Sequence, residues 1–359
     1  EAQLDTFLSK RPRVGLRAAL LVACFELMED LEKSPKIVDH AVQQIGKKYS
    51  KAERGLANAV LRKVAAQLPE RLSASLEDAA SVAVRHSHPL WLIERWEAEL
   101  GLDAARSMAS WNQKEPKLFA LPMKSDDWLP IGKSSPWSPY LDLGQASWAE
   151  IQEQLNAAAI YIQNPGARLA PELLVRFFEG GRILDLCAAP GGKSFFLDRI
   201  LGPELTEILA LDLPGPRMQR LESNLSQFGS GRIRALASDL FDANPTDIKT
   251  FEAVFLDAPC SNTGVIQRKP DVKWRLVESG LAELKQLQER MLEKASSFVG
   301  EHGLLVYSTC SIDRDENEGV VDWFLGSAVG QSFELLERAS SLPWETGHDG
   351  SGAYLMRRR

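Results

Sequence analysis

The stretch Cys187-Ala188-Ala189-Pro190-Gly191-Gly192-Lys193-Ser194 follows directly on the apolar run Arg182-Ile183-Leu184-Asp185-Leu186. A glycine turn that closes a strand and opens a helix is where nucleotide-like ligands dock on an open α/β sheet. The stretch is a near miss for the phosphate loop GxxxxGK[ST]. That pattern needs glycine where Cys187 stands, and Pro190 removes one backbone N–H from the cradle. A phosphate-loop hydrolase also needs a magnesium-holding acid at the end of a later strand. Asp257 could serve, so that reading stays as an alternative.

Downstream, short apolar runs at Arg182–Leu186, Glu207–Leu211, Arg232–Ala237, Ala253–Leu256 and Gly303–Ser308 alternate with helical patterns at Ser194–Leu201, Arg217–Phe228, Leu281–Val299 and Gly319–Phe324. This alternation predicts right-handed βαβ units and a parallel sheet. Asp212 follows the second run, a little over twenty residues beyond the loop, the spacing of a ribose-binding acid. Asp239 follows the third run, within reach of an adenine amino group, and Asp257 follows the fourth. With Asp185 they predict an acidic rim, which repels polyphosphate unless metal intervenes. Such a rim suits a cationic ligand with ribose and amine groups, and S-adenosylmethionine fits that description. The plainer role for each aspartate is to cap the next helix.

Two thiols belong to the same edge: Asp257-Ala258-Pro259-Cys260-Ser261 and Tyr307-Ser308-Thr309-Cys310-Ser311 both run from strands into polar turns. A cysteine is by default a small buried hydrophobe. Beside a methyl donor, thiols suit methylation of a pyrimidine C5. That carbon becomes nucleophilic once a thiolate adds at C6. The chemistry needs a thiolate, an acid at N3 and a proton acceptor, and Cys310, Asp257 and Cys260 can supply them. Asp257 would have to be protonated or share its proton. Lys193 would lower a thiol pKa or orient Asp257, unless it is an ordinary solvated helix lysine. Arg268-Lys269-Pro270-Asp271-Val272-Lys273-Trp274-Arg275 adds four basic residues and an indole, suited to phosphates and an unpaired base, or else a solvated loop.

Composition bounds the rest. The chain has 359 residues, 44% apolar and 25% charged, with a formal net charge of −7. Its length predicts two or three domains, and its charge argues against nonspecific nucleic-acid binding by the whole chain. Residues 1–66 carry twelve Lys and Arg against eight Asp and Glu, so a basic end precedes an acidic body. No apolar run reaches the roughly 18 to 20 residues of a membrane span. No signal peptide is expected, and the absent initiator Met points to a trimmed chain. Cys24, Cys187, Cys260 and Cys310 include no CxxC pair, so neither a disulfide framework nor a zinc site is expected, and a cytoplasmic location follows.

Residues 13–68 read as helices, with apolar stripes through Val14, Ala18, Leu21, Val22, Phe25 and Leu31, then Ile37, Ala41, Val42 and Ile45, then Leu56, Val60, Leu61 and Val64. Ser34-Pro35 marks a helix start and Pro69 an end. Residues 70–110 continue as helices, with Trp91, Leu92, Trp96 and Leu100 on one side. From 115 to 150, Pro116, Pro122, Pro130, Pro136 and Pro139 break up short apolar pieces, the texture of a small strand-and-loop subdomain or linker.

Three separated segments, "LDLCAAPGGKS", "LDAPCSNTGVIQRKPDVKWR" and "YSTCSIDRDENE", together resemble the RNA cytosine-C5 methyltransferases of the Sun/Fmu (RsmB) type. "ALLVACFELMEDLEKSPKIVDHAVQQIGKKYSKAERGLANAVLRKV" resembles the later helices of the NusB-like RNA-binding domain in that family. "HPLWLIERWEAELG" and "WNQKEP" resemble its connecting segment. The resemblance implies an α/β fold: a Rossmann-like methyltransferase domain over 159–359, an N-terminally incomplete all-α NusB-like domain over 1–80, and a small α+β connecting subdomain over 81–158.

Carried over residue by residue, the resemblance makes Cys310 the nucleophile and Cys260 the thiol that assists product release. It places S-adenosylmethionine on the loop Cys187, Ala188, Ala189, Pro190, Gly191, Gly192 and Lys193. Asp212 becomes the ribose acid, Arg217, Asp239 and Asp257 further cofactor contacts, and Asp257 and Lys193 also active-site groups. The implied partner is RNA, an unpaired cytosine of small-subunit ribosomal RNA, with no membrane, no metal and a monomeric protein. A transfer-RNA substrate or an inactive RNA-binding scaffold are the alternatives. The chain departs from the family pattern in four places. Ile162-Gln163-Asn164-Pro165-Gly166-Ala167-Arg168 replaces a VQDxxSQ-like segment, and Glu115-Pro116 with Phe119-Ala120 replaces a Pro-Pro and following Arg. Leu213-Pro214-Gly215-Pro216 is a stiffer turn, and Ala353-Tyr354 stands for an aromatic pair.

Overall fold

In the computed structural model, which describes residues 2–123 and 131–359, Val14–Glu29 (α1), Ser34–Lys48 (α2) and Lys51–Ser73 (α3) form a helical layer. Pro130 lies outside the described residues. The core of these three helices holds Leu16, Leu20, Leu27, Val42, Ile45, Val60, Leu61, Val64 and Leu68. Helix α1 buries the face of Leu16, Leu20, Ala23 and Leu27 and not the expected stripe through Val14, Ala18, Val22 and Phe25, whereas α2 and α3 bury theirs at Val42, Ile45, Val60, Leu61 and Val64. Ser50 starts α3 with a reciprocal cap: its hydroxyl accepts the Glu53 N–H at 3.3 Å and Glu53 accepts the Ser50 N–H at 2.9 Å.

Pro69 does not end α3, contrary to the sequence expectation; the helix runs on to Ser73. The carbonyls at its end find a partner in Arg85, on the helix Ala79–Arg85 (α4). Its guanidinium donates to Leu72 O at 2.6 Å and Ala74 O at 3.2 Å. Helix α1 also leaves Val14, Val22 and Phe25 exposed, so its apolar residues extend beyond the buried stripe.

The chain divides into two compact units, Glu1–Leu90 and Trp91–Arg359. The second begins with helices Leu90–Leu100 (α5) and Leu102–Trp111 (α6). The proline-broken stretch then supplies Phe119–Pro122 (β1), Lys133–Ser134 (β2) and Leu141–Asp142 (β3). After Trp148–Asn156 (α7), Ile160–Ile162 (β4) completes a small antiparallel sheet of order β2-β3-β1-β4.

Beyond helix Leu169–Val175 (α8) lies the large sheet. It is built from Gly181–Leu186 (β5), Leu205–Asp212 (β6), Ile233–Ala237 (β7), Phe251–Asp257 (β8) and Val299–Thr309 (β9), all parallel. Helices Gly192–Leu201 (α9), Pro216–Phe228 (α10) and Glu278–Ser296 (α11) lie between these strands in sequence, and Glu318–Gly326 (α12) follows β9. Both sheet faces are buried, which explains the continuous apolar runs. Ile183 packs with Phe195 and Phe196 of α9, while its neighbour Leu184 joins the opposite core with Leu292 of α11.

Two strands were not legible in the sequence: Phe333–Ser341 (β10) and Ser351–Arg358 (β11) add antiparallel to β9, giving the order β10-β11-β9-β8-β5-β6-β7. Strand β5 is central, flanked by β6 and β8. The chain winds outward through β6 and β7 and then returns to β8 and β9. This reversal opens a crevice at the carboxyl ends of β5 and β8, where ligands bind in such sheets. No helix among the described residues is long and apolar enough to cross a membrane.

Candidate active site

The glycine turn leaves β5 with Cys187 in the left-handed region (φ +61) and Gly191 at φ +104. A Cβ on Gly191 would also sit 3.0 Å from Leu221 and 3.1 Å from the Phe195 ring, so glycine answers both conformation and space there. The turn is tied across to β6. Ala188 N–H donates to Leu211 O at 3.1 Å and Ala189 N–H to Asp212 Oδ2 at 2.9 Å. Gly191 N–H donates to Ala188 O at 2.7 Å, and Asn224 donates to Pro190 O at 2.8 Å. The N–H groups of Ala188, Ala189 and Gly191 are thus engaged within the protein, and Pro190 has none. Lys193 is paired with Asp257. The phosphate-loop alternative is therefore corrected: this turn is a different device.

Asp212 is buried, and Leu213 N–H donates to its Oδ1 at 2.9 Å. Arg217 donates to Asp212 Oδ2 at 3.2 Å and to Ala189 O at 3.0 Å. Each carboxylate oxygen accepts about two hydrogen bonds, so Oδ1 retains room for a hydroxyl. Asp239 lies two residues past the end of β7, where its Oδ1 accepts the Phe241 N–H at 2.9 Å. Asp185 departs from the predicted rim. It is the penultimate residue of β5, fully buried, and it accepts the Ser194 hydroxyl. Burial pushes its carboxyl up to about 7.

Asp257 ends β8 and receives two donors, the Lys193 ammonium and the Ser308 hydroxyl, the latter at 2.9 Å. The sequence reading asks that Asp257 be protonated or share its proton, and Lys193 is the partner with which it can share one. Burial disfavours the Lys193 charge, yet the Asp257 carboxylate outweighs it and holds the ammonium above its ordinary range. Lys193 orients Asp257; it is not a solvated helix lysine.

The two strand-end thiols meet. Cys260 Sγ lies 3.3 Å from Cys310 Sγ. The hydrogen bond from Cys260 lowers the Cys310 pKa against the cost of burial, with Lys193 and Lys269 assisting. The same bond, together with burial and the Glu316 charge, raises Cys260 well above the ordinary thiol range. Around Cys310 the Asp257 charge opposes the two lysines, while beside Cys260 the Glu316 charge keeps the proton on. Cys187, by contrast, is pushed up to about 12 by burial and the nearby carboxylates, so it is an inert thiol.

Sequence reasoning missed the frame behind the thiols. Buried Glu316 accepts the Ser261 N–H at 2.8 Å, the Ser261 hydroxyl and the Gln288 amide at 2.9 Å. Asn317 accepts the Thr309 hydroxyl at 2.8 Å and donates to Ser311 O at 3.0 Å and Asp313 O at 2.9 Å. Gly264 N–H donates to Cys310 O at 3.0 Å. Arg95 grips Asp313 from α5, with bonds of 2.5 and 2.7 Å. The available signal was the density of Ser, Thr, Asn and Glu beside both cysteines.

The run 268–275 is not a row of free cations. Arg268 pairs with Asp349, Lys269 donates to Asn262 at 3.1 Å, and Arg275 pairs with Asp271 at 2.8 Å. Lys273 is buried, which lowers it to about 8, whereas the Trp274 indole is 60% exposed.

Two cavities open around these groups. One of about 690 Å³ is lined by Asp212, Asp239, Leu240, Phe241, Pro259 and Met291. The other, about 300 Å³, is lined by Gln163, Asn164, Lys193, Arg268, Asp349 and Ser351. Cys310, Asp257 and Lys269 line both. The larger has the acids, apolar walls and volume for S-adenosylmethionine, so the residues present fit that group.

Residues 173–346 match the family described as 16S rRNA methyltransferase RsmB/F. The chain is 31% identical over 288 residues to Ribosomal RNA small subunit methyltransferase B of Salmonella agona, covering 76% of this chain and 64% of that protein. It is 30% identical over 283 residues to the protein of that name from Photorhabdus laumondii, again covering 76% and 64%. The chain thus spans less than two thirds of the length of these curated relatives. Among solved structures, PH0851 superposes with a TM-score of 0.72 at 24% identity, covering 96% of this chain and 82% of the other. A methyltransferase homologue from Pyrococcus horikoshii does so at 0.65 and 21%, covering 79% and 100%. Both show the shared fold. Residues 173–346 thus match the RsmB/F family of 16S rRNA methyltransferases, and the chain as a whole is similar to proteins named for that activity.

Proposed function

We propose that the protein methylates C5 of an unpaired cytosine in small-subunit ribosomal RNA, using S-adenosylmethionine and a transient covalent bond from Cys310 to C6. One observation carries this reading: Cys310 and Asp257 stand in the wall shared by the two cavities. A donor held in the larger cavity and a base held in the smaller one would face each other across a thiol with a lowered pKa. The relatives named as small-subunit methyltransferases support the choice of RNA.

The cofactor supplies an electrophilic methyl group on a sulfonium. Asp212 and the turn 187–193 hold it, with Asp239 at the far end of the same cavity. Cys310, as thiolate, adds to C6 of the ring, and electron density moves toward N3 and C5. The Asp257–Lys193 pair receives N3 and steadies that charge, with Lys193 as the source of the shared proton. After methyl transfer a solvent water takes the C5 proton, and the electron pair left behind forms the C5–C6 double bond as the C6–S bond breaks and returns Cys310 as thiolate. Cys260, which carries its own proton, is suited to donate a hydrogen bond to the departing sulfur. That supports a role in release; a thiol already holding its proton is ill placed to accept another.

The unit Glu1–Leu90 is assigned to RNA binding, on its basic balance and its resemblance to the NusB-like domain. Exposed Trp274 offers a stacking surface for a base. Bisulfite mapping of small-subunit ribosomal RNA, from cells with and without the protein, tests the reading. Loss of protection at one cytosine is expected; an unchanged map sinks it.

A further inference from the structure

Asn262 has no part in the reaction as described, yet its side chain touches three groups of the site. It occupies the left-handed region (φ +63, ψ 25) just after Cys260-Ser261. Its amide Nδ2 donates to Cys260 O at 2.8 Å. An amide has one donor end and one acceptor end, so this bond turns Oδ1 the other way. There Oδ1 accepts the Lys269 ammonium at 3.1 Å, and the Cys310 thiol points at it from 3.4 Å.

The charges around Cys310 cancel in pairs, with one exception. Lys193 is paired with Asp257, Arg268 with Asp349, and Asp185 lies buried behind Lys193. Glu316 bears on Cys260, the neighbouring thiol. Lys269 makes no ion pair among the described residues, and it is exposed, so its long side chain has rotamers to choose from. The Asn262 oxygen is what selects the one beside the sulfur.

We infer that Asn262 is a positioning residue, whose amide oxygen holds the Lys269 ammonium at the same atom the Cys310 thiol meets, so that the ammonium stands ready for the thiolate. The inference rests on Cys310 being the attacking thiol of the proposed reaction. Asn262 acts only through Lys269. While Cys310 is protonated it donates to Oδ1; once deprotonated, its thiolate has the ammonium in range.

The test is the pH dependence of Cys310 alkylation by iodoacetamide in the full chain, read by mass spectrometry on the peptide that carries it. Asn262→Gly suits the left-handed backbone and removes only the amide. It should move the half-reaction pH of Cys310 up by about half a unit to one unit. Lys269→Met, at an exposed position, should move it as far, and the double variant no further than Lys269→Met alone. An unmoved profile in either single variant, or shifts that add in the double, overturns the inference. The measurement needs neither RNA nor donor. Were Cys310→Ala to keep methyl transfer, the reaction proposed above would fall while the alkylation result still stood on its own.

Discussion

Cys260 and Cys310, fifty residues apart in the chain, bring their sulfurs to 3.3 Å at the ends of the adjacent strands β8 and β9. Their proximity is a property of register. Asp257 pairs with Ser308 in the parallel ladder, and each strand then runs a few residues into its turn. In the proposed reaction that closeness gives them separate roles, Cys310 as the attacking thiol and Cys260 as the donor beside it.

Replacing each thiol should give opposite phenotypes. Cys310→Ala is expected to lower methyl transfer by at least about a thousandfold, because it removes the nucleophile of a unit that acts together. Cys260→Ala should still attack but release slowly, leaving a protein–RNA adduct that survives denaturing electrophoresis. Adduct in the Cys310 variant instead would reassign the nucleophile to Cys260.

Asp212 holds two backbone N–H groups and Arg217, in addition to its proposed ribose contact. Asp212→Ala removes a charged hydrogen-bond acceptor of a kind worth about 1.5–3 kcal/mol per bond. Titration calorimetry should show S-adenosylmethionine binding weakened about tenfold or more. Unchanged affinity would place the ribose elsewhere.

Gly264 is enclosed by backbone. A Cβ there would lie 2.4 Å from Gly350 O and 2.8 Å from Cys310 O. Neither neighbour is a flexible side chain that can swing away. Gly264→Ala should therefore cost about 1–3 kcal/mol of stability and push the Cys310 turn out of place. A melting curve and a transfer assay should fall together; a variant with normal melting and normal activity would contradict the packing.

Buried Asp185 carries a pH signature. Its folded pKa is raised to about 7 from an ordinary 3.8. Between those values the folded chain keeps a proton that the unfolded chain has lost. This contribution to stability is complete below the ordinary value and disappears as pH rises through about 7. Asp185→Asn, neutral at every pH, should therefore gain more melting temperature over the parent at pH 8.5 than at pH 5. An equal difference at both pH values would show that burial does not govern this carboxyl.

The parallel strands β5 to β9 were legible because both of their faces are buried, which writes each as an apolar run between turns. The glycine turn and the acid Asp212 were legible because loop and strand end are local in sequence. Strands β10 and β11 were not. Strand β10 is half-buried or exposed between its ends and carries Glu334, Glu337 and Arg338, while β11 is buried only over the five residues 352–356, too short a run to stand out. The partners of Asp185 and Asp257 were not legible for a related reason. Whether an aspartate faces a ligand, a serine or a lysine depends on what packs across from it. Likewise Pro69 reads as a helix end unless Arg85, from the next helix, is seen taking up the carbonyls beyond it.

By itself the sequence determined the order of the parallel strands and the helices between them, the chemistry at their ends, and the family that the motifs resemble, since all of these are written in contiguous residues. Only the tertiary structure decided that Cys260 shares its proton with Cys310, that Lys193 is committed to Asp257, and that Asn262 reaches Lys269. Those outcomes depend on distances of a few ångströms between segments far apart in the chain, and hydrogen bonds and local charge fall off too steeply for spacing along the sequence to predict them.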